Sequence, residues 1–136
     1  MSSLIVRCCM SVMLMSPSAG IQQYAAAKDS ILGPRAVARL HEAAVLEQVA
    51  DWEVLVCVAW HESRFRPDAR SKPNGNYNGM LQIGKRQHAK AMRDAGLDYN
   101  SEADRLRWGM RLYQKHGLQP WAVRTAARRD YARIKK

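Results

Sequence analysis

The segment Val54-Leu55-Val56-Cys57-Val58-Ala59-Trp60 is an unbroken apolar run. On a helix these side chains point in every direction, and on a strand they point to both faces, so either form must be covered all round. The β-branched content suits a buried strand. The length from Trp52 to about Ser63 favours a helix, as does Asp51 placed as its N-cap, with Glu53 adding negative charge to the first turn. The chain must therefore build a shell around one central helix. Its 136 residues are enough for one such domain and too few for two.

The remaining segments supply that shell. Gly33-Pro34 marks a break, and Pro34 suits the first turn of a helix. From Arg35 to Val49 the apolar residues Val37, Leu40, Ala44, Val45 and Val49 recur at helical spacing. Pro67 ends the central element. The Arg70–Asn78 stretch is rich in Pro, Asn and Gly; Asn74-Gly75 is a hairpin signal, and a small β-ribbon is expected around Gly79 to Ile83. A further helix runs from about Lys85 to Ala95 and stops at Gly96. Ser101 caps the next, with Leu106, Gly109, Met110 and Tyr113 on one face and Gly117 as its stop. After Gln119-Pro120-Trp121 comes a last basic helix. The expected fold is mainly α, with a helical bundle around a buried helix and a small β-ribbon.

Lys and Arg number 22 against 12 Asp and Glu, a formal charge of +10. Six of the bases and one acid, Asp130, fall between Arg124 and Lys136. Such a 124–136 tail or helix suits an anionic surface, although a solvated face reads equally well. At the other end, no charge occurs between Arg7 and Lys28, and an apolar block from Cys8 to Met15 leads to Ala25-Ala26-Ala27. Residues 1–27 read as an export signal cleaved after Ala27, a disordered leader, a mis-chosen start or a first helix docked on the fold. Three cysteines make no disulfide framework, and Cys57 reads as a small buried hydrophobe.

The chemically informative residue is Glu62. Val58, Leu55 and Ala59 share its helical face, so its carboxyl emerges from an apolar stripe. It also stands in the helix's last turn, where the macrodipole opposes an anion. Both effects favour the neutral acid, the form that serves as a general acid. The plainer alternatives are a solvated glutamate, or one paired with Arg64 or Arg66.

The series His61-Glu62-Ser63-Arg64-Phe65-Arg66-Pro67-Asp68-Ala69, followed by Asn78-Gly79-Met80-Leu81-Gln82-Ile83, resembles the lytic transglycosylases of the goose-type lysozyme-like group. Arg107-Trp108-Gly109-Met110-Arg111-Leu112-Tyr113 is similar to that family's later helix. Gly117-Leu118-Gln119-Pro120-Trp121 is similar to the close of phage and secretion-associated members. The resemblance covers roughly Ala50 to Val123, within a lysozyme-like domain expected over 34–123. It departs from the family at Arg105, where many members have Asn, and in lacking an Ala-Tyr-Asn-Ala-Gly-like motif near the end.

The resemblance implies cleavage of the N-acetylmuramic acid–β-1,4–N-acetylglucosamine bond of peptidoglycan, with Glu62 as acid and then base and a 1,6-anhydro product. It further implies that Ser63 bonds near the acid and that Gln82 contacts an N-acetyl group or positions Glu62. Met80 then forms the cleft wall, Tyr113 reaches its floor, and Tyr77 and Trp121 stack on sugar rings. Each of these has a structural alternative: a helix cap for Ser63, a solvent-facing amide for Gln82, and packing for Tyr113 and Trp121. Hydrolysing glycosidases need a second carboxylate roughly 5 to 9 Å from the first. Between Arg64 and Gln82 the sequence offers only Asp68, with Asn74, Asn76 and Asn78 in the hairpin. That favours the intramolecular route.

No metal and no cofactor are expected. His61-Glu62 begins a zinc protease pattern, but Phe65 stands where the second His belongs, and His41, His88 and His116 lack ligand spacing. The expected partner is the peptidoglycan glycan strand, without nucleic acid, with weak attraction to anionic envelope surfaces and a monomeric enzyme. The expected location is the cell envelope or periplasm, the exterior, or a phage particle. A hydrolytic muramidase and a basic nucleic-acid-binding helical protein are the alternatives.

Overall fold

The computed structural model describes residues 16–136. Among them the chain forms six helices and one ribbon: α1 (Ala19–Lys28), α2 (Leu32–Glu47), α3 (Val54–Ser63), β1 (Tyr77–Asn78), β2 (Ile83–Gly84), α4 (Lys85–Asp94), α5 (Glu102–His116) and α6 (Arg124–Ile134). The fold is mainly α with a small antiparallel ribbon, as the apolar run and the turn signals require.

Helix α3 lies at the centre. Leu55, Val56, Cys57, Val58 and Ala59 are all fully buried, and each branched aliphatic side chain so covered contributes about 1.5–3 kcal/mol. Helices α2 and α6 pack against it directly, while α5 closes on α2. Burial pushes the Cys57 thiol up to about 12, which suits a packing role. Helix α5 has the predicted ends: the Ser101 hydroxyl accepts from the Asp104 amide at 3.2 Å, and Gly117 stops it at φ 62°. Its Arg107 and Arg111 both grip Glu47 at 2.7 Å and join α5 to the end of α2.

Three local expectations are corrected. Asp51 does not cap α3. A tight turn through Trp52 and Glu53 precedes the helix, and the Asp51 carboxylate instead accepts from the Tyr113 hydroxyl at 2.9 Å. Gly33-Pro34 is no break, because both residues lie in the first turn of α2. The chain turns earlier, at Asp29, whose carboxylate accepts from the Ile31 and Leu32 amides. The ribbon is displaced by a few residues. Tyr77 pairs with Gly84 and Asn78 with Ile83, so Gly79–Gln82 is the connecting turn rather than a strand. Asn74-Gly75 turns the preceding loop, tied by Gly75 N–H to Ser71 O and by an Arg70–Asn78 bridge.

The apolar block Cys8–Met15 of the leader lies outside the described residues. Downstream of it, α1 is docked on the bundle, with Ile21 and Ala25 fully buried. The Ser18 hydroxyl accepts from the Ile21 amide and donates to Glu53, fastening the start of α1 beside the start of α3.

The ribbon turn combines a left-handed glycine with a close approach. Gly79 has φ 85°, and a Cβ there would sit 2.4 Å from a Glu102 carboxylate oxygen. Gly96 has φ 81° with open space around it. Gly96→Ala is expected to cost only the left-handed strain, about 1 kcal/mol, whereas Gly79→Ala adds a steric clash and costs about 3 kcal/mol or more. Urea denaturation of the two variants measures the difference.

Candidate active site

Helix α3 ends where Arg64 and Phe65 both adopt left-handed backbone conformations, φ 54° and 65°. The Arg64 amide returns to Trp60 O and the Phe65 amide to Ala59 O. Two non-glycine residues in this region are strained by about 1–2 kcal/mol each. Burial of Phe65, 5.3 Å from the Trp60 ring, offsets that strain. The reversal carries the chain away from α3 and leaves Glu62 facing an open cleft of about 710 Å³. Its lining includes Leu32, Ser63, Arg64, Arg66, Pro67, Asp68, Ala69 and Arg70.

Glu62 is half-buried, and its carboxyl has neither a hydrogen bond nor an ion pair among the described residues. Burial alone raises its pKa above the usual carboxylate range. Arg64, Arg66 and Arg70 line the cleft without pairing with Glu62; the Arg64 guanidinium lies over the Trp60 ring at 4.5 Å. His61 turns away from Glu62, as its helical offset requires, and meets Asp130 of α6 at 2.8 Å. Asp130 also accepts from the Tyr24 hydroxyl at 2.7 Å. Burial opposes ionisation of Asp130, but these hydrogen bonds prevail and hold its carboxyl below the usual range.

The ribbon turn is fastened to the Glu62 end of α3 by several polar contacts. Ser63, 7 % exposed, directs its hydroxyl at Ala59 O (3.0 Å) and Met80 O (2.9 Å). The Met80 amide donates to Glu102 at 2.8 Å, and the Trp121 indole N–H donates to Leu81 O at 2.9 Å. The Gln82 amide nitrogen donates to Ala69 O and Gly79 O, so its Oε1 is the end left to accept a bond from a ligand. The structure thus brings Ser63, Met80, Gln82 and Trp121 together around one turn beside Glu62. Of these, Met80 and Trp121 are buried packing residues. Tyr77, 43 % exposed, presents its ring on the ribbon, with its hydroxyl accepting from Gln87.

Tyr113 is placed apart from this group. It is hydrogen-bonded to Asp51, which precedes α3, whereas Glu62 is in the last turn. At a rise of about 1.5 Å per residue the two ends are separated by roughly 15 Å. Burial and the bond to Asp51 keep the Tyr113 phenol protonated well beyond its ordinary range.

Glu102 is the residue that reading the sequence overlooked. As the first residue of α5 after the Ser101 cap, it looks like a dipole-complementing acid. In the fold it sits beneath Gly79, takes the Met80 amide and is paired with Arg105 at 3.3 Å. Burial raises its pKa, and the Met80 amide and Arg105 oppose that rise. Its only sequence signal is its chain distance from a turn glycine with which it makes no local contact. Arg105 also donates to Tyr99 O, so this departure from the family pattern serves the scaffold. Among the described residues no cluster of His, Cys, Asp and Glu is arranged to hold a metal ion.

The raised pKa of Glu62 has a consequence for stability. The unfolded side chain ionises near pH 4.3, but the folded one resists ionisation, so the native state loses stability as pH rises through that interval. Glu62→Gln is therefore expected to melt at an equal or higher temperature than the parent at pH 7, with the gain vanishing by pH 4. Thermal melts at the two pH values check this.

A family model described as Transglycosylase SLT domain matches residues 39–106, half of the chain, and spans Glu62, the ribbon and Glu102. No curated protein and no solved structure gives a match.

Proposed function

From the premise that this chain belongs to the transglycosylase SLT family, whose members cleave glycosidic bonds in peptidoglycan, we propose that it is a lytic transglycosylase with Glu62 as its single catalytic residue. The observation that carries this reading is an unpaired, half-buried carboxyl at the end of the most buried helix, facing an open cleft. A carboxylic acid kept neutral by desolvation can donate its proton to a leaving oxygen.

In the proposed reaction Glu62 protonates the glycosidic oxygen between N-acetylmuramic acid and N-acetylglucosamine. The C1–O4 bond breaks as O4 takes the proton. The Glu62 carboxylate then removes the proton of the muramic C6 hydroxyl while O6 bonds to C1. The products are a 1,6-anhydromuramic end and a free 4-hydroxyl; no water is consumed, and Glu62 recovers its proton. Gln82 Oε1 would accept from an N-acetyl N–H, and the Tyr77 ring would stack on a sugar. Ser63, Met80 and Trp121 would act indirectly by holding the ribbon turn against α3. The enzyme would work in the cell envelope, outside the cell or in a phage particle, where its substrate is accessible.

The route without water is supported by how the polar groups of the ribbon and its neighbours are engaged. Glu102 is already engaged by the Met80 amide and Arg105, and Asn76 and Asn78 are spent on the loop's backbone and on neighbouring side chains. Asp68 lines the same cleft, and it is the one observation that favours a hydrolytic muramidase instead. Mass spectrometry of products from purified peptidoglycan separates the two, because an anhydro end is lighter by one water. The expected result is anhydro ends from the parent protein and a rate lowered by about 10²–10⁴ in Glu62→Gln. Retention of most activity by that variant would refute the assignment.

A further inference from the structure

Two sets of arginines in this protein differ in what they touch. Those on α5 are engaged: Arg105 with Glu102, and Arg107 and Arg111 with Glu47. Arg64, Arg66 and Arg70 all line the Glu62 cleft and are exposed, and among the described residues none has an ion pair or donates a side-chain hydrogen bond. They are nonetheless held in place. The Arg64 guanidinium lies on Trp60 at 4.5 Å. The Arg70 guanidinium lies against the Gly75 turn, its Nη2 2.8 Å from where a Cβ would stand. Arg66 lies near enough to Asp29 to help lower that carboxyl, without pairing with it. The one acid interspersed among them is Asp68.

We propose that Arg66 and Arg70, supported by Arg64, form a specificity edge that recognises the free carboxylates of the peptide branches on the glycan strand. This rests on the lytic reading of the Glu62 cleft. A guanidinium presents a planar fork of donors that matches a carboxylate in two parallel hydrogen bonds. A glycan backbone bound at Glu62 brings its own branches to the cleft edge, within reach of these arginines. The edge leaves the chemistry at Glu62 to burial and acts on binding. It discriminates between strands whose branches carry free acids and strands whose branches are amidated or absent.

The test uses the full chain and two substrates: purified peptide-bearing glycan strands, and the same strands with their carboxyl groups converted to primary amides by carbodiimide and ammonia. Three variants accompany the parent: R66Q/R70Q, R128Q/R129Q on the exposed face of α6 as a charge-matched control, and E62Q. Exposed charge pairs are modest, so each arginine is expected to contribute about two- to threefold in binding and the pair about four- to tenfold. Amidation should raise the parent's KM by that factor with little change in kcat. R66Q/R70Q should show the raised KM already on native strands, with no further rise on amidated ones. R128Q/R129Q should stay within about twofold of the parent on native strands.

The proposal is overturned if the parent is indifferent to amidation, if the cleft pair and the α6 pair behave alike, or if R66Q/R70Q loses kcat equally on both substrates. E62Q reports separately on the underlying reading. If it is inactive on both substrates while the arginine effects are missing, only the specificity edge fails. If the parent cleaves neither substrate, the edge falls with the lytic reading.

Discussion

The bond from the Ser63 hydroxyl to Met80 O is the contact on which the site's geometry depends. It joins the last residue of the central helix to a four-residue turn that has almost no secondary structure of its own. A two-residue ribbon is too short to be stable alone. Its position is imposed from outside by Ser63, by Glu102 on the Met80 amide, by Trp121 on Leu81 O and by the Gln82 amide on Ala69 O and Gly79 O. Four separate segments thus converge on one turn. The turn is therefore tied to the Glu62 end of α3 through Ser63, while Arg64, Arg66 and Arg70 along the cleft are exposed.

This arrangement divides the acidic residues by environment. Glu47 is surrounded by two arginines, and although burial opposes ionisation, their hydrogen bonds hold its carboxyl below the usual range. For Glu102 burial outweighs its partners, and its carboxyl is raised. Glu62 is raised with no partner among the described residues. Glu102 lines a separate cavity but is held by the Met80 amide and Arg105. Glu62 instead combines a raised pKa with an unengaged carboxyl facing its cleft, which is what proton donation to a substrate requires. The arginines differ in the same way, engaged on α5 and exposed without an ion pair along the cleft.

Much of the fold could be read from the residues. The apolar run at Val54–Trp60 required a surrounded helix, and Ser101 and Gly117 marked the ends of α5. The errors were local and share a cause. Asp51 has the chemistry of an N-cap, but a hydroxyl from Tyr113, far along the chain, engages its carboxylate instead. Gly33-Pro34 has the composition of a break, but Asp29 supplies a cap early enough for both residues to enter the helix. Asn74-Gly75 was rightly a turn, yet the ribbon pairs across Gly79–Gln82, because Glu102 beneath Gly79 and Ser63 beside Met80 pin that second turn.

The amino-acid order by itself determined the central helix, the stripe from which Glu62 emerges, and the direction in which its pKa moves, because all three follow from side-chain periodicity over a few turns. Only the tertiary structure decided which polar groups meet. It gave Glu102 to Met80, sent Tyr113 to the far end of α3 and left Arg64, Arg66 and Arg70 along the cleft. Those pairings depend on directional contacts between segments distant in the chain, and no local pattern encodes them.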